Sequence, residues 1–405
     1  MTSYTYSAVD RTGKEIRGQL QADNEVEARE KIKGGGLLVL EVSEADALDK
    51  NIEFSIGTRK PGARDFSVFC RQFVAMTQAG VTIIDALKML ADQTQNAVLR
   101  KTVRNTQISV EKGETLSDSM RLDSKVYPEL LINMVEAGEA TGALDIAFER
   151  MAIHYEKEAK LKALMRKAMV YPIVVGIVAV GVIILMLTFV IPRYVVMFND
   201  LGAKLPGITV AVVKLSDFII KFWYLIILVI IAIVIALKLY GKTESGRRVF
   251  GRIALRAPVF GNLTIKTCCA RFARTMSTML AAGISVDEAV GITAGTVGNA
   301  IIEDAIRECR NEIMQGVPLS RPLEESGEFP PMVYQMTRIG EESGDMEGLL
   351  TKLAEYYEEE VEIATQTLMA AMEPAIIIIL AGIVGFLIMA IMAPMMSMYE
   401  SLDNL

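Results

Sequence analysis

The sequence predicts a mainly α-helical membrane protein with two homologous cytoplasmic helical-bundle domains, three transmembrane helices and a small N-terminal ββαβ domain. Three observations lead to this fold class. The chain is 52% hydrophobic and yet 22% charged, a mixture that indicates apolar spans joined to charged aqueous domains. Three long stretches contain no charged residue. One pattern of residues also occurs twice, so that half of the chain resembles the other half.

These patterns divide the chain into nine segments. In order they are a ββαβ domain (1–44), a linker (45–63), helical bundle 1 (64–168), transmembrane helix 1 (169–192), an external loop (193–217), transmembrane helix 2 (218–239), helical bundle 2 (240–370), transmembrane helix 3 (374–396) and an external tail (397–405).

The first segment alternates strand-like and turn-like stretches. "YTYSAVD", the turn "RTGK" and "EIRGQLQA" are typical of a hairpin, and "LLVLEV" of a third strand. Between them "DNEVEAREKIK" predicts a helix, which Asp23 or Asn24 can cap. The polar stretch that follows is expected to be a linker.

The bundles are predicted from helical spacing. In "FSVFCRQFVAMTQAG" the residues Phe66, Phe69, Phe73 and Met76 recur every three or four positions, and Gly80 is a natural stop. No Gly or Pro interrupts the chain between residues 143 and 169. We therefore expect one long helix to leave the bundle and enter the membrane.

The spans have the length and flanking charges of membrane helices. About 20 apolar residues are needed to cross the hydrocarbon core. Basic residues cluster before the first span and after the second, at Lys157, Lys160, Lys162, Arg166, Lys167, Lys238, Lys242, Arg247, Arg248 and Arg252. Because basic segments stay inside, the N-terminus and both bundles are predicted to be cytoplasmic, and the C-terminus external. Pro172 and Pro374, near the start of spans one and three, are each expected to bend the helix.

The repeat includes a whole bundle and the span that follows it. An offset of 203 positions matches Phe69, Arg71, Gly80 and Leu116 with Phe272, Arg274, Gly283 and Leu319. Further along, an offset of 202 positions matches Pro128, Tyr155, Glu156, Pro172 and Pro192 with Pro330, Tyr357, Glu358, Pro374 and Pro394. The middle span joins the two copies by crossing the membrane back, so both bundles are expected on the same side of the membrane.

A Gly-Glu-x-(Ser/Thr)-Gly motif occurs once in each copy of the repeat. Its members are Gly138, Glu139, Gly142, Gly340, Glu341 and Gly344. The favoured interpretation is a turn in which the first glycine ends one helix and Thr141 or Ser343 caps the next. A partner contact, and a carboxylate pair for acid–base catalysis or cation binding, are the alternatives.

The two copies differ in charge just before their spans. Lys157 and Lys160 align with Glu359 and Glu362. Solvated helix faces are the default interpretation of such runs. The sharper hypothesis is that the basic and acidic faces pair, either within one chain or between subunits.

The sequence offers little material for catalysis or for a cofactor. His154 is the only histidine, which excludes a multi-histidine metal site, and we expect it at the surface. The chain has no Walker A motif and its four cysteines form no C-x-x-C pair. A net charge of −7 gives no basic footprint for nucleic acid. No enzymatic activity, catalytic residue, cofactor or metal is predicted.

The chain resembles the type II secretion system F family over essentially its whole length. The resemblance rests on "YSAVDRTGKEIRGQLQA", on the pair "RQFVAMTQAGV" and "RFARTMSTMLAAGI", on "FPPMVYQMTRIGEESG" and on "YYEEEV…MEP". It implies two cytoplasmic bundles and three spans. It also implies an inner-membrane platform beneath a type IV pilus or secretion pseudopilus. The implied partners are a hexameric cytoplasmic ATPase, pilin or pseudopilin subunits, other inner-membrane assembly proteins and further copies of the chain.

Two other functions compete with this one. A channel or transporter is disfavoured because ionisable groups are absent from the spans. A membrane receptor with a ligand-binding ββαβ head is disfavoured because the head is short. The sequence leaves open whether the machine makes a pilus, a competence filament or a pseudopilus.

Overall fold

The computed structural model of the chain describes residues 2–9, 15–22, 27, 29, 38–44, 59–193, 196, 207–258 and 260–403. The chain separates into two units, Met1–Arg59 and Lys60–Leu405. The second unit contains both copies of the repeat and all three apolar stretches.

The first unit contains a three-stranded antiparallel sheet. Its strands are β1 (Thr2–Val9), β2 (Glu15–Ala22) and β3 (Leu38–Glu44), in the order β2-β1-β3. Tyr4 stands opposite Leu20 on one side and Glu44 on the other. Of the predicted helix, Glu27 and Arg29 are helical. The rest of that helix, the "RTGK" turn and most of the predicted linker lie outside the described residues.

The second unit begins with the helices of the first repeat. They are α1 (Ala63–Gln78), α2 (Ile83–Gln93), α3 (Ala97–Glu111), α4 (Leu116–Arg121), α5 (Glu129–Thr141) and α6 (Leu144–Leu185). Thr82, Asn96 and Thr115 cap α2, α3 and α4 by accepting hydrogen bonds from backbone N–H groups of the first turn.

The remaining helices are the middle span and the second repeat. They are α7 (Gly207–Tyr240), α8 (Glu244–Arg256), α9 (Phe260–Ala281), α10 (Val286–Thr296), α11 (Ala300–Ile313), α12 (Ser320–Glu325), α13 (Pro331–Ser343) and α14 (Met346–Asp403). Left-handed glycines end equivalent helices in the two repeats, at Gly80 and Gly283 and again at Gly142 and Gly344.

The core of each repeat forms where its first helix packs on its last. In the first repeat the rings of Phe73 on α1 and Phe148 on α6 stack with centroids 3.9 Å apart. Both side chains are fully buried. In the second repeat α9 packs along α14, and Phe272 on α9 also meets Phe329 in the segment before α13. One continuous cluster of buried apolar side chains runs through both repeats, so the two bundles share a core.

In the described parts of the chain, three helices are long and apolar enough to cross a membrane. They include Leu144–Arg193, Val212–Tyr240 and Met346–Phe386, in which an 18-residue apolar stretch has a mean hydropathy of 3.1, 3.0 and 2.2, respectively. The first and third are the long helices predicted to continue from bundle to membrane. Pro172 and Pro374 both lie inside helices that continue past them, and the bend expected at each remains a prediction.

Two irregularities in the spans were not predicted. Residues Met186–Val190 form a π-helical turn after α6. The Ser216 hydroxyl of α7 donates a hydrogen bond to the Leu187 carbonyl within that turn. In α7 the backbone leaves helical geometry at Phe222, with φ −116° and ψ 17°. Helix α7 also begins at Gly207, inside the segment expected to be an external loop.

Candidate functional site

The motif carboxylate of the first repeat holds the start of a neighbouring helix. Glu139, in the last turn of α5, accepts hydrogen bonds from the backbone N–H groups of Leu116 (2.6 Å) and Ser117 (2.9 Å) at the start of α4. The Ser117 hydroxyl donates to the same carboxylate. A helix N-terminus exposes unpaired N–H groups and partial positive charge, so a carboxylate here stabilises α4.

The second repeat contains the same arrangement. Glu341 on α13 accepts hydrogen bonds from the backbone N–H groups of Leu319 and Ser320 and from the Ser320 hydroxyl. The two carboxylates are thus engaged by donors inside their own repeats. The parts of the chain that the structure describes hold no group of three or more His, Cys, Asp or Glu placed to bind a metal ion.

The predicted roles of the first motif glycines were wrong. Gly138 and Gly340 lie inside α5 and α13, which end at the left-handed Gly142 and Gly344. The reason for a glycine at 138 is space, because a Cβ there would lie 2.8 Å from the Cβ of Ala147 on α6. Gly138 therefore lets α5 and α6 approach closely.

The capping residues of the long helices also differ from the prediction. The Thr141 hydroxyl donates to the Ala137 carbonyl of its own helix and does not cap α6, which has no side-chain cap. At α14 the Asp345 carboxylate accepts a hydrogen bond from the Gly348 N–H (2.9 Å), while the Ser343 hydroxyl accepts one from the Asp345 N–H. The predicted serine thus supports the residue that caps the helix.

The basic and acidic faces meet within one chain. Lys157 Nζ lies 3.2 Å from Glu358 Oε2, and Lys160 Nζ lies 3.6 Å from Glu362 Oε2. Glu359, which aligns with Lys157 in the repeat, instead borders a groove with both lysines. The α6 and α14 helices are therefore joined by opposite charges just before they reach the apolar stretches.

Glu358 is the centre of this contact. Its Oε1 accepts a 2.8 Å hydrogen bond from Arg274 Nε on α9, while its Oε2 faces Lys157 of the other repeat. The Arg274 and Glu358 side chains are only 13% and 12% exposed. Their counterparts in the first repeat, Arg71 and Glu156, also form an ion pair, but there the side chains are 56% and 61% exposed.

The expectation that His154 lies at the surface was wrong. The residue is 8% exposed, and its ring lies edge-on to Tyr155. Burial lowers the pKa of His154 to about 4, and the nearby guanidinium groups of Arg274 and Arg271 act in the same direction. The sequence pattern does indicate this burial, since His154 follows Met151 by three residues on the apolar side of α6.

Sequence reasoning did not single out Arg271, Arg274 or Glu358 as site residues. The repeat includes Arg274 and Glu358, but it assigns them no role. The burial of Arg274 depends on the second bundle packing against α6 of the first, which no local pattern reveals.

Two family models match the chain. "Type II secretion system (T2SS), protein F" matches residues 69–192 and again residues 272–394, and the model for the N-terminal domain of that protein matches residues 1–43. The double match coincides with the two repeats, each including the start of its long helix and its span.

Curated relatives match over nearly the whole length. The chain is 37% identical to the type IV pilus assembly protein PilC of Thermus thermophilus over 405 residues, which is all of both chains. It is 37% identical to PilC of Pseudomonas aeruginosa over 85% of this chain and 92% of that one. It is 30% identical to the type II secretion system protein F of Vibrio cholerae over 98% of both. The chain belongs to the type II secretion system protein F family.

The first prediction concerns the motif glutamates. Glu139→Ala or Glu341→Ala leaves backbone N–H groups of α4 or α12 without an acceptor, at a cost of roughly 1–3 kcal/mol. Hydrogen exchange should become faster at Leu116 and Ser117, or at Leu319 and Ser320, and the melting temperature should fall. Glu342→Ala, at an exposed neighbouring position, is the control. Unchanged exchange in both variants would contradict the assigned role.

The second prediction compares the duplicated ion pair. Glu358→Gln leaves Arg274 buried without its carboxylate and should destabilise the protein by roughly 3–5 kcal/mol. Glu156→Gln removes the equivalent exposed carboxylate and should cost no more than about 1 kcal/mol. Thermal unfolding in detergent measures both variants. Equal effects would show that burial between the repeats does not strengthen the pair.

The third prediction follows from the buried histidine. The unfolded chain protonates His154 below pH 6.5, whereas the folded chain keeps it neutral down to about pH 4. Stability from this group is therefore complete above pH 6.5, falls as the pH drops toward 4, and loses about 3 kcal/mol in all. Compared with His154→Gln, the wild-type melting temperature should fall more steeply over this range. Parallel curves would refute the assignment.

Proposed function

We propose that this member of the family is a non-enzymatic inner-membrane platform for assembling a type IV pilus or a type II secretion pseudopilus. In this role it couples a cytoplasmic assembly ATPase to the insertion or extraction of pilin subunits. The observation that carries the proposal is the full-length match to proteins named for pilus assembly and for type II secretion, with the duplicated unit matched twice.

The proposed topology places the N-terminus and both bundles in the cytoplasm and the C-terminus outside. It is supported by basic residues such as Lys167, which precedes the first apolar stretch, and Lys242, which follows α7. We further propose that residues 1–44 form a ββαβ domain. Three paired strands and the helical Glu27 and Arg29 support it.

The proposed mechanism is mechanical transmission through continuous helices. α6 and α14 each begin in a bundle and continue into an apolar stretch without a break. Ion pairs from Arg150 to Glu347 (3.3 Å) and from Lys157 to Glu358 connect them above the membrane. A displacement of either bundle by a hexameric ATPase would thus reach the first and third spans together.

The proposed partners at the membrane are pilin or pseudopilin subunits, other inner-membrane assembly proteins and further copies of this chain. Residues of all three spans border one apolar groove, among them Ile183, Leu187, Val212, Ile378 and Gly382. Apolar helices of partner subunits could contact such a surface in lipid. The motif carboxylates, held by donors within their own repeats, support a structural rather than a catalytic role.

The fourth prediction tests the platform directly. A clean deletion, in a strain without paralogues, should abolish surface filaments or secretion while pilin synthesis and membrane levels stay normal. Complementation with wild type or with Glu156→Gln should restore assembly, whereas Glu358→Gln should restore less because the contact between the repeats is weakened. Electron microscopy of filaments and immunoblots of pilin provide the measurements. Normal filaments in the deletion strain would overturn the proposed function.

A further inference from the structure

A cavity of about 300 Å³ lies between the two repeats, where α6 of the first meets α9 and α14 of the second. Four cationic side chains line it, against two carboxylates, so the lining has two positive charges in excess. These residues are Lys157, Lys162, Arg271, Arg274, Glu158 and Glu358.

Buried polar atoms without hydrogen-bond partners are concentrated around the same cavity. Among the described residues, five buried side-chain nitrogen or oxygen atoms have no hydrogen-bond partner, and four of them belong to residues that line this cavity. The four are His154 Nδ1, Tyr155 Oη, Arg271 Nε and Arg274 Nη2. Buried polar groups in folded proteins are nearly always paired with protein, water or an ion, so we expect water or an ion to occupy this cavity.

The chemistry of these atoms selects an anion. Arginine nitrogens only donate hydrogen bonds. Arg271 is fixed by donation from Nη1 to the Val297 carbonyl (3.3 Å), and Arg274 by donation from Nε to Glu358, so both guanidinium groups are oriented. The carboxylates are already paired, Glu158 with Lys162 at 2.6 Å and Glu358 with Arg274.

We propose that this cavity binds a soluble oxyanion of the phosphate class, either free phosphate or a phosphomonoester, through Arg271, Arg274 and His154. Guanidinium groups match phosphate oxygens in geometry as well as charge. A dianion would balance the two excess positive charges. A lipid headgroup is out of reach, because His154 precedes the apolar stretch at Ala168 by 14 residues, about 21 Å along a helix.

The first repeat lacks the equivalent site, which makes the proposal specific to one place. Val68 stands where the second repeat has Arg271, and the partner of Arg274 in the alignment, Arg71, is exposed. The cavity joins residues of both repeats, so an occupant would brace α6 against α9. This inference does not depend on the proposed platform function.

The only histidine of the chain provides the probe. The full-length protein, purified in detergent through a histidine-free tag and in phosphate-free buffer, is labelled with ¹³C at histidine Cε1 and gives one ring signal. Sodium phosphate and, separately, adenosine monophosphate are titrated against sodium chloride at matched ionic strength. We expect a saturable shift of the His154 signal with phosphate or the monophosphate and none with chloride. The tighter of the two ligands identifies the source of the anion.

Two variants test whether the anion binds in this cavity. Arg271→Gln, which leaves the pair between Arg274 and Glu358 intact, should weaken binding at least about tenfold, as expected for loss of a charged hydrogen bond. Arg71→Gln is the matched control and should bind like wild type. The wild-type titration needs no variant to fold, so it tests the proposal alone. A shift that does not saturate, that chloride reproduces, or that survives unchanged in a folded Arg271→Gln protein would overturn it.

Discussion

The buried contact between α6 and α14, centred on Glu358, determines how the two repeats are arranged. One carboxylate is shared between Arg274 of its own repeat and Lys157 of the other. A buried ion pair of this kind adds little net stability compared with apolar packing, but it penalises any arrangement that leaves one charge alone. The contact therefore acts mainly by selecting one relative position of the bundles.

Duplication accounts for Arg274 and Glu358, which repeat Arg71 and Glu156, but not for the second ion pair between the repeats, Lys160 with Glu362. Because Glu362 occupies the position of Lys160, two identical copies would place lysine against lysine there, and like charges in a partly buried groove repel. The copies instead diverged to basic in α6 and acidic in α14, while the internal scaffold stayed the same. Glu139 and Glu341 still hold the start of the equivalent short helix. The hydrogen bonds that the two repeats have in common thus lie within each repeat, whereas the charges that differ between the repeats lie where the two repeats meet.

Local patterns predicted the helices, the repeat and the spans, because period, glycine stops and apolar length are all visible along the chain. The motif was recognised as structural, yet its mechanism was wrong: Glu139 contacts a backbone 22 and 23 residues away, which spacing cannot reveal. For the charged faces, alignment of the repeats suggested Glu359, whereas the contact uses Glu358. Neighbouring residues on a helix point about 100° apart, so the choice depends on how the helices rotate against each other.

The spans depart from α-helical geometry at positions away from the contact between α6 and α14. α6 and α14 are joined by ion pairs at their bundle ends, so the helices cannot separate there without breaking these pairs. The π turn at Met186–Val190 and the break at Phe222 lie further along the membrane segments. The π turn is stabilised by a hydrogen bond from Ser216 on α7. π turns and helix breaks interrupt the regular hydrogen-bond ladder and are common at functional positions. Under the proposed mechanism, movement delivered through the joined bundle ends would then be taken up where the first and second spans meet, rather than at the bundle interface.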